Sequence, residues 1–176
     1  MNIVAQANPA DEVIPGLYLG SRYAALNGDY LASKRIVSVF NCTKDIPFHP
    51  TIKRQFRVPV DDSLQQPDIR NLELWSYELV YRIASEYRHA QKHGDAVLVH
   101  CAAGMQRSAA SIAMFLIATQ GMTADQAVAF IRSKRSIAFQ PGINFDDAIR
   151  GFEASFAKEV RPALQAPAPP ATHIAP

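Results

Sequence analysis

Apolar and polar positions along this chain follow two different periods, and each change of period marks an element of secondary structure. Short runs rich in β-branched and apolar residues at 17–20, 36–42, 55–60 and 96–100 predict four β-strands. Elsewhere, apolar side chains recur every three or four positions, which is the spacing of one helix face. Strands that alternate with helices indicate a single α/β domain with a mainly parallel central sheet flanked by helices.

The longest predicted helix precedes the strand at 96–100. Its apolar side chains are Leu72, Trp75, Leu79, Ile83 and Tyr87. Gly94 follows this stripe, and glycine is the residue most often found just beyond a helix C-terminus. We therefore expect one long helix that packs this stripe against the sheet.

Three further helices are predicted after the last strand. The first runs from Ser108 to about Gln120 and ends at Gly121. The segment 123–126 reads Thr-Ala-Asp-Gln, a capping box that begins the second helix, which ends near Lys134. The last helix is marked by apolar side chains at helical spacing, namely Phe145, Ile149, Phe152 and Phe156.

The two ends of the chain differ from its middle. Residues 1–10 are expected to be an N-terminal extension and residues 11–160 to form the folded domain. Residues 161–176 contain five prolines and several alanines. Such a composition buries too little apolar surface to order itself, so a flexible tail is predicted.

The overall composition disfavours several classes of protein. The chain has 176 residues, enough to bury a core without disulfides or metal, and its net charge of +2 gives no reason to expect a nucleic-acid partner. Cys42 and Cys101 lack a paired spacing, which favours a reducing compartment and gives no zinc-binding pattern. Without a signal-peptide pattern or an apolar run that could span a bilayer, we expect a cytoplasmic protein that does not bind membranes.

The segment 100–108 carries the strongest chemical signal. It reads His-Cys-Ala-Ala-Gly-Met-Gln-Arg-Ser between a predicted strand and a predicted helix. Loop N–H groups and the helix N-terminus converge at such a junction, so the loop can cradle an anion. In that field Cys101 is expected to be a thiolate near neutral pH, and Arg107 can bind two oxygens of a phosphate. The alternative is a small buried apolar cysteine, but the adjoining His, Gly and Ser favour the functional interpretation.

The pattern His-Cys-x-x-Gly-x-x-Arg-Ser resembles the signature of the cysteine-dependent protein tyrosine phosphatases, and the chain is similar to their dual-specificity branch. Residues 14–21 and 36–43 resemble the first two strands of that branch. Residues 58–62 resemble the strand and loop that carry its general acid. The resemblance covers most of the chain and implies a protein tyrosine phosphatase-like fold whose reaction needs neither cofactor nor metal.

The resemblance also implies a role for each residue of the loop. Cys101 is the expected nucleophile, which forms a phosphocysteine intermediate. The Arg107 guanidinium and the loop N–H groups hold the three equatorial oxygens in the transition state. His100 organises the loop from behind, Ser108 hydrogen-bonds the sulfur, and Gly104 permits a backbone conformation closed to other residues. The phosphate-binding positions are Cys101, Ala102, Ala103, Gly104, Met105, Gln106 and Arg107.

The proton donor for the leaving oxygen has two candidates, Asp61 and Asp62. Setting residues 58–62 against the family's strand puts Asp62 at the acid position, and Asp61 remains the alternative. One of two adjacent carboxylates is expected to be harder to ionise, which helps an acid keep its proton. Both could instead be ordinary solvated loop residues. We expect Asp62 to be the general acid.

Three further features lie outside the loop. By resemblance, Arg135 flanks the substrate pocket and attracts a second phosphate or an acidic side chain, although an arginine at a helix C-terminus also suits the helix dipole. Cys42 ends the strand expected beside the one that delivers Cys101, so it either packs in the core or forms a protective disulfide, as in some relatives. Residues 139–145 lack the family's usual Pro-Asn pair, so the role of that asparagine is not carried over.

The expected function is removal of phosphate from phosphotyrosine and from phosphoserine or phosphothreonine of proteins. Uncharged loop side chains disfavour inositol phosphates, and no long loop is apparent that would build a deep tyrosine-selecting wall. The alternatives are an RNA 5′-phosphatase or other non-protein phosphatase of this fold and, in another class, an inactive phosphatase that binds phosphoproteins. A metal-dependent hydrolase is disfavoured because no histidine pair has ligand spacing. A phosphorylated protein is the expected partner of a monomer or weak dimer.

Overall fold

The computed structural model describes residues 3–165, and a five-stranded sheet forms the centre of this part of the chain. Its strands are β1 (Ala10–Ile14), β2 (Leu17–Gly20), β3 (Ile36–Asn41), β4 (Arg54–Arg57) and β5 (Ala96–His100). They lie in the order β1-β2-β5-β3-β4. All neighbouring strands run parallel except β1, which joins one edge antiparallel to β2. The predicted mainly parallel sheet is confirmed.

Helices cover both faces of this sheet. Their bounds are α1 (Ile3–Gln6), α2 (Arg22–Ala25), α3 (Gly28–Ser33), α4 (Gln66–His93), α5 (Arg107–Gln120), α6 (Ala124–Lys134), α7 (Asp146–Ser155) and α8 (Arg161–Gln165), with a π-helical turn at Phe156–Val160. None of the helices in the described part of the chain is both long and apolar enough to cross a lipid bilayer.

The strand β5 lies in the middle of the sheet and is buried on both faces. Val97 and Val99 contact the larger core, which α4, α5, α6 and α7 cover. Ala96 and Leu98 contact the smaller core beneath α2 and α3. Successive strand residues face opposite sides, which explains why a strand covered on both sides is a continuous apolar run in the sequence.

The sequence pattern misses β1, α2 and α3. In β1, Asp11 and Glu12 interrupt the apolar run. Its pairing depends on the turn at Pro15-Gly16, where Gly16 has φ of 79°, a value suited to glycine at the third position of a type II turn. The helices α2 and α3 have only four and six residues, too few for a helical period to show. Each is instead started by a side-chain cap.

The long helices agree with the sequence. The helix α4 ends before Gly94, whose φ of 67° lies in the left-handed region. The capping box is present at the start of α6, where the Thr123 side chain accepts from the Gln126 N–H at 3.2 Å. The strand predicted at 55–60 is shorter, because Pro59 has no N–H to continue the ladder.

Near both ends of the described chain, the structure differs from what the sequence predicts. Ala10 pairs with Gly20 in the sheet, so the last residue of the expected N-terminal extension belongs to the domain. Residues 161–165, the start of the expected flexible tail, form the helix α8. The remainder of that tail, 166–176, lies outside the described residues.

Candidate active site

The loop 101–106 joins the central strand β5 to the helix α5, at the carboxyl edge of the sheet. Parallel sheets place their ligands at this edge, because loops and helix N-termini converge there. The helix α5 is almost entirely buried in the larger core, so its N-terminus is rigidly placed against the loop. The side chains of Ala102, Ala103, Met105 and Arg107 are nevertheless partly exposed.

Backbone contacts hold this loop from several sides. The Arg22 N–H donates to the Ala102 carbonyl at 3.1 Å, and the Phe139 N–H donates to the Met105 carbonyl at 2.8 Å. Gly104 has φ of 69°, and a Cβ there would lie 2.5 Å from the Gly20 carbonyl oxygen. The predicted need for glycine at this position is confirmed, by both its conformation and its close approach to the backbone of β2.

The Cys101 side chain lies in the floor of the loop, with 2% of its residue surface exposed. Burial by itself raises the pKa of the thiol, but the opposing effects are larger and the pKa of Cys101 is lowered overall. The effects that lower the pKa are the positive charge of Arg107, the Ser108 hydroxyl and the backbone N–H groups of Ser108 and Met105. The hydroxyl donates to the sulfur at 3.1 Å. The loop therefore stabilises a thiolate.

Arg107, the first residue of α5, places a positive charge next to the loop. One of its terminal N–H groups donates to the Val60 carbonyl at 3.0 Å, which fixes the guanidinium. Its Nε is buried without a hydrogen-bond partner in the described part of the chain. A buried guanidinium N–H without a protein partner suits a site built to receive an anion.

The two candidate acids have different neighbours. Asp61 accepts a hydrogen bond from Lys44 at 2.5 Å in a half-exposed ion pair. Asp62 is exposed and accepts from the side-chain amide of Asn144 at 2.8 Å. Asp62 lies two residues after Val60, so the guanidinium of Arg107 anchors the loop that carries both carboxylates.

Comparisons with known proteins agree with this geometry. The family described as "Dual specificity phosphatase, catalytic domain" matches residues 17–155. The chain belongs to this family.

Two curated relatives of this family are considerably longer than this chain. Dual specificity protein phosphatase 1-A of Xenopus laevis is 33% identical over 144 residues, which cover 81% of this chain and 37% of that protein. Human dual specificity protein phosphatase 4 is 33% identical over 145 residues, covering 81% of this chain and 34% of that protein. The chain thus spans little more than a third of the curated relatives it matches. The crystal structure of human DUSP28, with 26% sequence identity and a TM-score of 0.68, covers 85% of this chain and 96% of that one.

His100 lies behind the loop, fully buried. Its Nδ1 is 3.2 Å from the Cys101 carbonyl oxygen, and since that oxygen only accepts, Nδ1 carries the proton. Burial lowers the pKa of His100 to about 4, so the ring is neutral at physiological pH. A neutral imidazole supports the loop backbone without adding a charge next to the thiolate.

Arg135 does not flank the pocket, and this expectation is corrected. Its residue surface is 1% exposed, and its guanidinium donates to the carbonyls of Ala103 at 3.1 Å and Gly104 at 2.9 Å. A further N–H group pairs with Asp11 at 2.6 Å. Every nitrogen is thus engaged from behind the loop and none is available to a second phosphate. The local sequence contained no signal for this burial, because it depends on the unpredicted strand β1.

Cys42 lies one residue beyond β3, which is paired with β5. Its N–H donates to the His100 carbonyl at 2.8 Å, so Cys42 and Cys101 follow paired positions on adjacent strands. Burial raises the pKa of Cys42 to about 12, and its sulfur is 3.5 Å from the Ser111 hydroxyl oxygen. That hydroxyl already donates to the Arg107 carbonyl, so the Cys42 thiol is the donor.

Two side chains of the site had no role in the sequence analysis. Gln106 was expected to contribute its backbone N–H, but its side chain is also buried and hydrogen-bonded to the segment 140–144. Asn144, two residues beyond Gly142, contacts Asp62 although the Pro-Asn pair is absent. The exchange of that pair for Pro-Gly was the one signal that the segment is unusual.

Proposed function

We propose that this chain is an active dual-specificity protein phosphatase that hydrolyses phosphotyrosine and phosphoserine or phosphothreonine of proteins. The observation that carries the proposal is the lowered pKa of Cys101 beside a guanidinium with a free buried N–H. An inactive family member used only for binding would not need a stabilised thiolate. The presence of all three candidate residues, the nucleophile Cys101, the phosphate-binding Arg107 and the acid Asp62, supports turnover.

The reaction proceeds in two displacements. The Cys101 thiolate attacks phosphorus, the bond from phosphorus to the leaving oxygen breaks, and Asp62 gives that oxygen its proton. The Arg107 guanidinium and the loop N–H groups bind the equatorial oxygens throughout. Water then attacks the phosphocysteine and gives a proton to the Asp62 carboxylate. Inorganic phosphate leaves, and Ser108 donates to the sulfur as it departs as a thiolate.

The shape of the site supports a broad substrate range. The loop side chains at 102, 103 and 105 are uncharged and partly exposed, and the acid candidate Asp62 is exposed. A site rimmed by partly exposed, uncharged side chains admits short phosphoserine side chains as well as phosphotyrosine. The proposed partner is a phosphorylated protein, rather than a nucleic acid or a membrane, and the chain is proposed to act as a cytoplasmic monomer or weak dimer.

The test is turnover of p-nitrophenyl phosphate and of matched phosphotyrosine and phosphothreonine peptides in the presence of EDTA. Cys101→Ser is expected to keep the fold and lose essentially all turnover, because an alcohol is not ionised there. Arg107→Lys is also expected to be inactive, since a point charge cannot bind two oxygens in parallel.

Each alternative predicts a different outcome of this test. Binding of phosphopeptides without turnover would indicate a phosphoprotein reader. Turnover of RNA 5′-phosphate ends but not of the peptides would indicate the RNA 5′-phosphatase. Near-normal activity of either variant would contradict the mechanism.

A further inference from the structure

A buried glutamine side chain connects the phosphate-binding loop to the segment 140–144. The Gln106 amide N–H groups donate to the carbonyls of Gly142 at 2.7 Å and Gln140 at 3.2 Å. Its amide oxygen accepts from the backbone N–H of Asn144 at 3.0 Å. Gln106 is only 5% exposed, and both ends of its amide are hydrogen-bonded. A buried amide with its hydrogen bonds made fixes the segment relative to the loop.

The far end of this segment reaches the acid candidate. The Asn144 side-chain N–H donates to Oδ1 of Asp62 at 2.8 Å. An amide N–H can only donate, so Oδ1 is an acceptor whether or not Asp62 is protonated. The proton that Asp62 transfers is then carried by its other oxygen, Oδ2. Asn144 thus distinguishes two oxygens that would otherwise be equivalent.

The acid loop, residues 58–62, is held to the phosphate-binding loop, residues 101–107, by two adjacent residues of the latter. Arg107 binds it directly through the Val60 carbonyl. Gln106 binds it indirectly, through the backbone of Asn144 and then its side chain. Because a general acid works only within hydrogen-bond reach of the leaving oxygen, the distance between the two loops controls proton transfer.

We propose that Gln106 and Asn144 are positioning residues that hold Asp62 for proton transfer to the leaving group. The proposal rests on the proposed function, in which Asp62 is the general acid. The hydrogen bonds of both side chains go to the segment 140–144 and to Asp62, away from the Cys101 sulfur. Their loss is therefore expected to affect the protonation of the leaving oxygen and to spare the attack on phosphorus.

The test is the dependence of kcat/KM on the acidity of the leaving group, measured in the full chain. Asp62→Asn is expected to lower kcat/KM for a phosphotyrosine peptide by about 10²-fold or more. Asn144→Ala, the similarly sized Asn144→Leu and Gln106→Ala are expected to lower it by about tenfold. For aryl phosphates with strongly acidic phenols, which need little protonation, each loss is expected to be about twofold or less. Gln120→Ala, an exposed glutamine at the far end of α5, is the matched control and is expected to behave as the parent.

The outcomes separate this inference from the proposed function. In the Asp62→Asn background, Asn144→Ala is expected to add no leaving-group dependence, because the group it positions is gone. If Asp62→Asn shows no such dependence, Asp62 is not the acid and the proposed mechanism fails. If Asp62→Asn shows it but the other variants lose activity equally on all substrates, or not at all, the positioning role alone is overturned. Thermal unfolding of each variant identifies a loss due to misfolding, and if Asn144→Ala misfolds, the leaving-group dependence of Asn144→Leu decides between the outcomes.

Discussion

At the scale of single residues, Cys42 and Cys101 show how position decides the chemistry of one side chain. Both thiols are buried, and burial alone raises the pKa of each. For Cys101 the Arg107 charge, the Ser108 hydroxyl and loop N–H groups outweigh burial, and the pKa is lowered. For Cys42 burial outweighs the effects that lower the pKa, which are the Ser111 hydroxyl and the charge of Arg107, and the pKa rises to about 12. The fold therefore favours the thiolate form of Cys101 and keeps Cys42 as a neutral thiol.

The placement of Cys42 beside Cys101 leads to a prediction about their oxidation. Peroxide is expected to oxidise the Cys101 thiolate to a sulfenic acid, which the Cys42 thiol then attacks, forming a disulfide and releasing water. Adjacent strands lie about 4.8 Å apart, within the Cα separation that a disulfide accepts. After limited peroxide and then excess thiol, the parent is expected to recover most of its activity. Cys42→Ala is expected to recover several-fold less, because its sulfenic acid proceeds to the irreversible sulfinic form.

Intact-mass analysis after peroxide provides the direct check. The parent is expected to lose two hydrogens, and Cys42→Ala to gain oxygen atoms instead. Equal recovery of the two proteins would mean that Cys42 serves only as a core residue. Ser111→Ala is a useful second variant, because it removes the hydroxyl that contacts the Cys42 sulfur and leaves both thiols in place.

At the scale of elements, the buried carboxylate of Glu86 connects the helix α4 to the edge strand β4 through hydrogen bonds. Glu86 on α4 accepts two hydrogen bonds from Arg54 on β4, at 2.5 and 2.6 Å, and one from Ser38 on β3 at 2.6 Å. Its side chain is 8% exposed, against 44% for that of Arg54. The hydrogen bond from Arg54 is the largest reason that the pKa of Glu86 is lowered. The pair therefore stabilises the fold only while the carboxylate is ionised.

Glu86→Gln is expected to lower the free energy of unfolding by about 2 kcal/mol near pH 7. This is less than the loss for a fully buried pair, because Arg54 keeps part of its hydration. A carboxyl whose pKa is lowered by folding stabilises the protein above its unfolded pKa, 4.5, and loses that stabilisation as pH falls through the folded value. The difference between parent and variant in urea unfolding is therefore expected to shrink below about pH 4.5.

Glu78→Gln is the matched control for this prediction. Glu78 pairs with Arg82 on the exposed side of the same helix, with both side chains about half exposed. Loss of this ion pair in Glu78→Gln is expected to change the free energy of unfolding by about 0.5 kcal/mol or less at every pH. If both substitutions change the free energy of unfolding equally, the contact of Glu86 with β4 stabilises the fold no more than an exposed ion pair does.

At the scale of the whole molecule, the proposed anion site is assembled from distant parts of the chain. The loop 101–106 is contacted by the backbone of α2, by Arg135 beyond α6 and by the segment 139–144, while Arg107 contacts the acid loop. Such a site exists only in the folded state. A phosphate-like anion is therefore expected to bind the folded chain and not the unfolded chain, and so to stabilise the whole protein.

Tungstate or phosphate is expected to raise the thermal midpoint of the parent. At ten times its dissociation constant, the anion adds about 1.4 kcal/mol, or roughly 3–6 °C for a domain of this size. Chloride at matched ionic strength is the control and is expected to have no such effect. Arg107→Lys is expected to lose most of the shift, because bidentate binding is lost. An undiminished shift in that variant would place the anion elsewhere.

The sequence by itself determined the elements and the chemistry that are local. The strands at 17–20, 36–42 and 96–100, the helix ends at Gly94 and Gly121 and the nine residues of segment 100–108 could be predicted. Each depends on a period, a cap or a motif within a few neighbouring residues. The parallel sheet follows from the alternation of these elements, which is also a property of the linear pattern.

Only the tertiary structure decided which distant side chains meet. Arg135 is expected at the pocket from the resemblance to the family, yet it lies behind the loop because β1 brings Asp11 against it. The contact of Asn144 with Asp62 joins residues that are 82 positions apart. No period or motif encodes such a pair, because the contact depends on how α6, the segment 140–144 and the acid loop pack together. The local sequence therefore indicates the candidate nucleophile and its neighbouring arginine, whereas the contacts that hold the loop and the candidate acid depend on the tertiary structure.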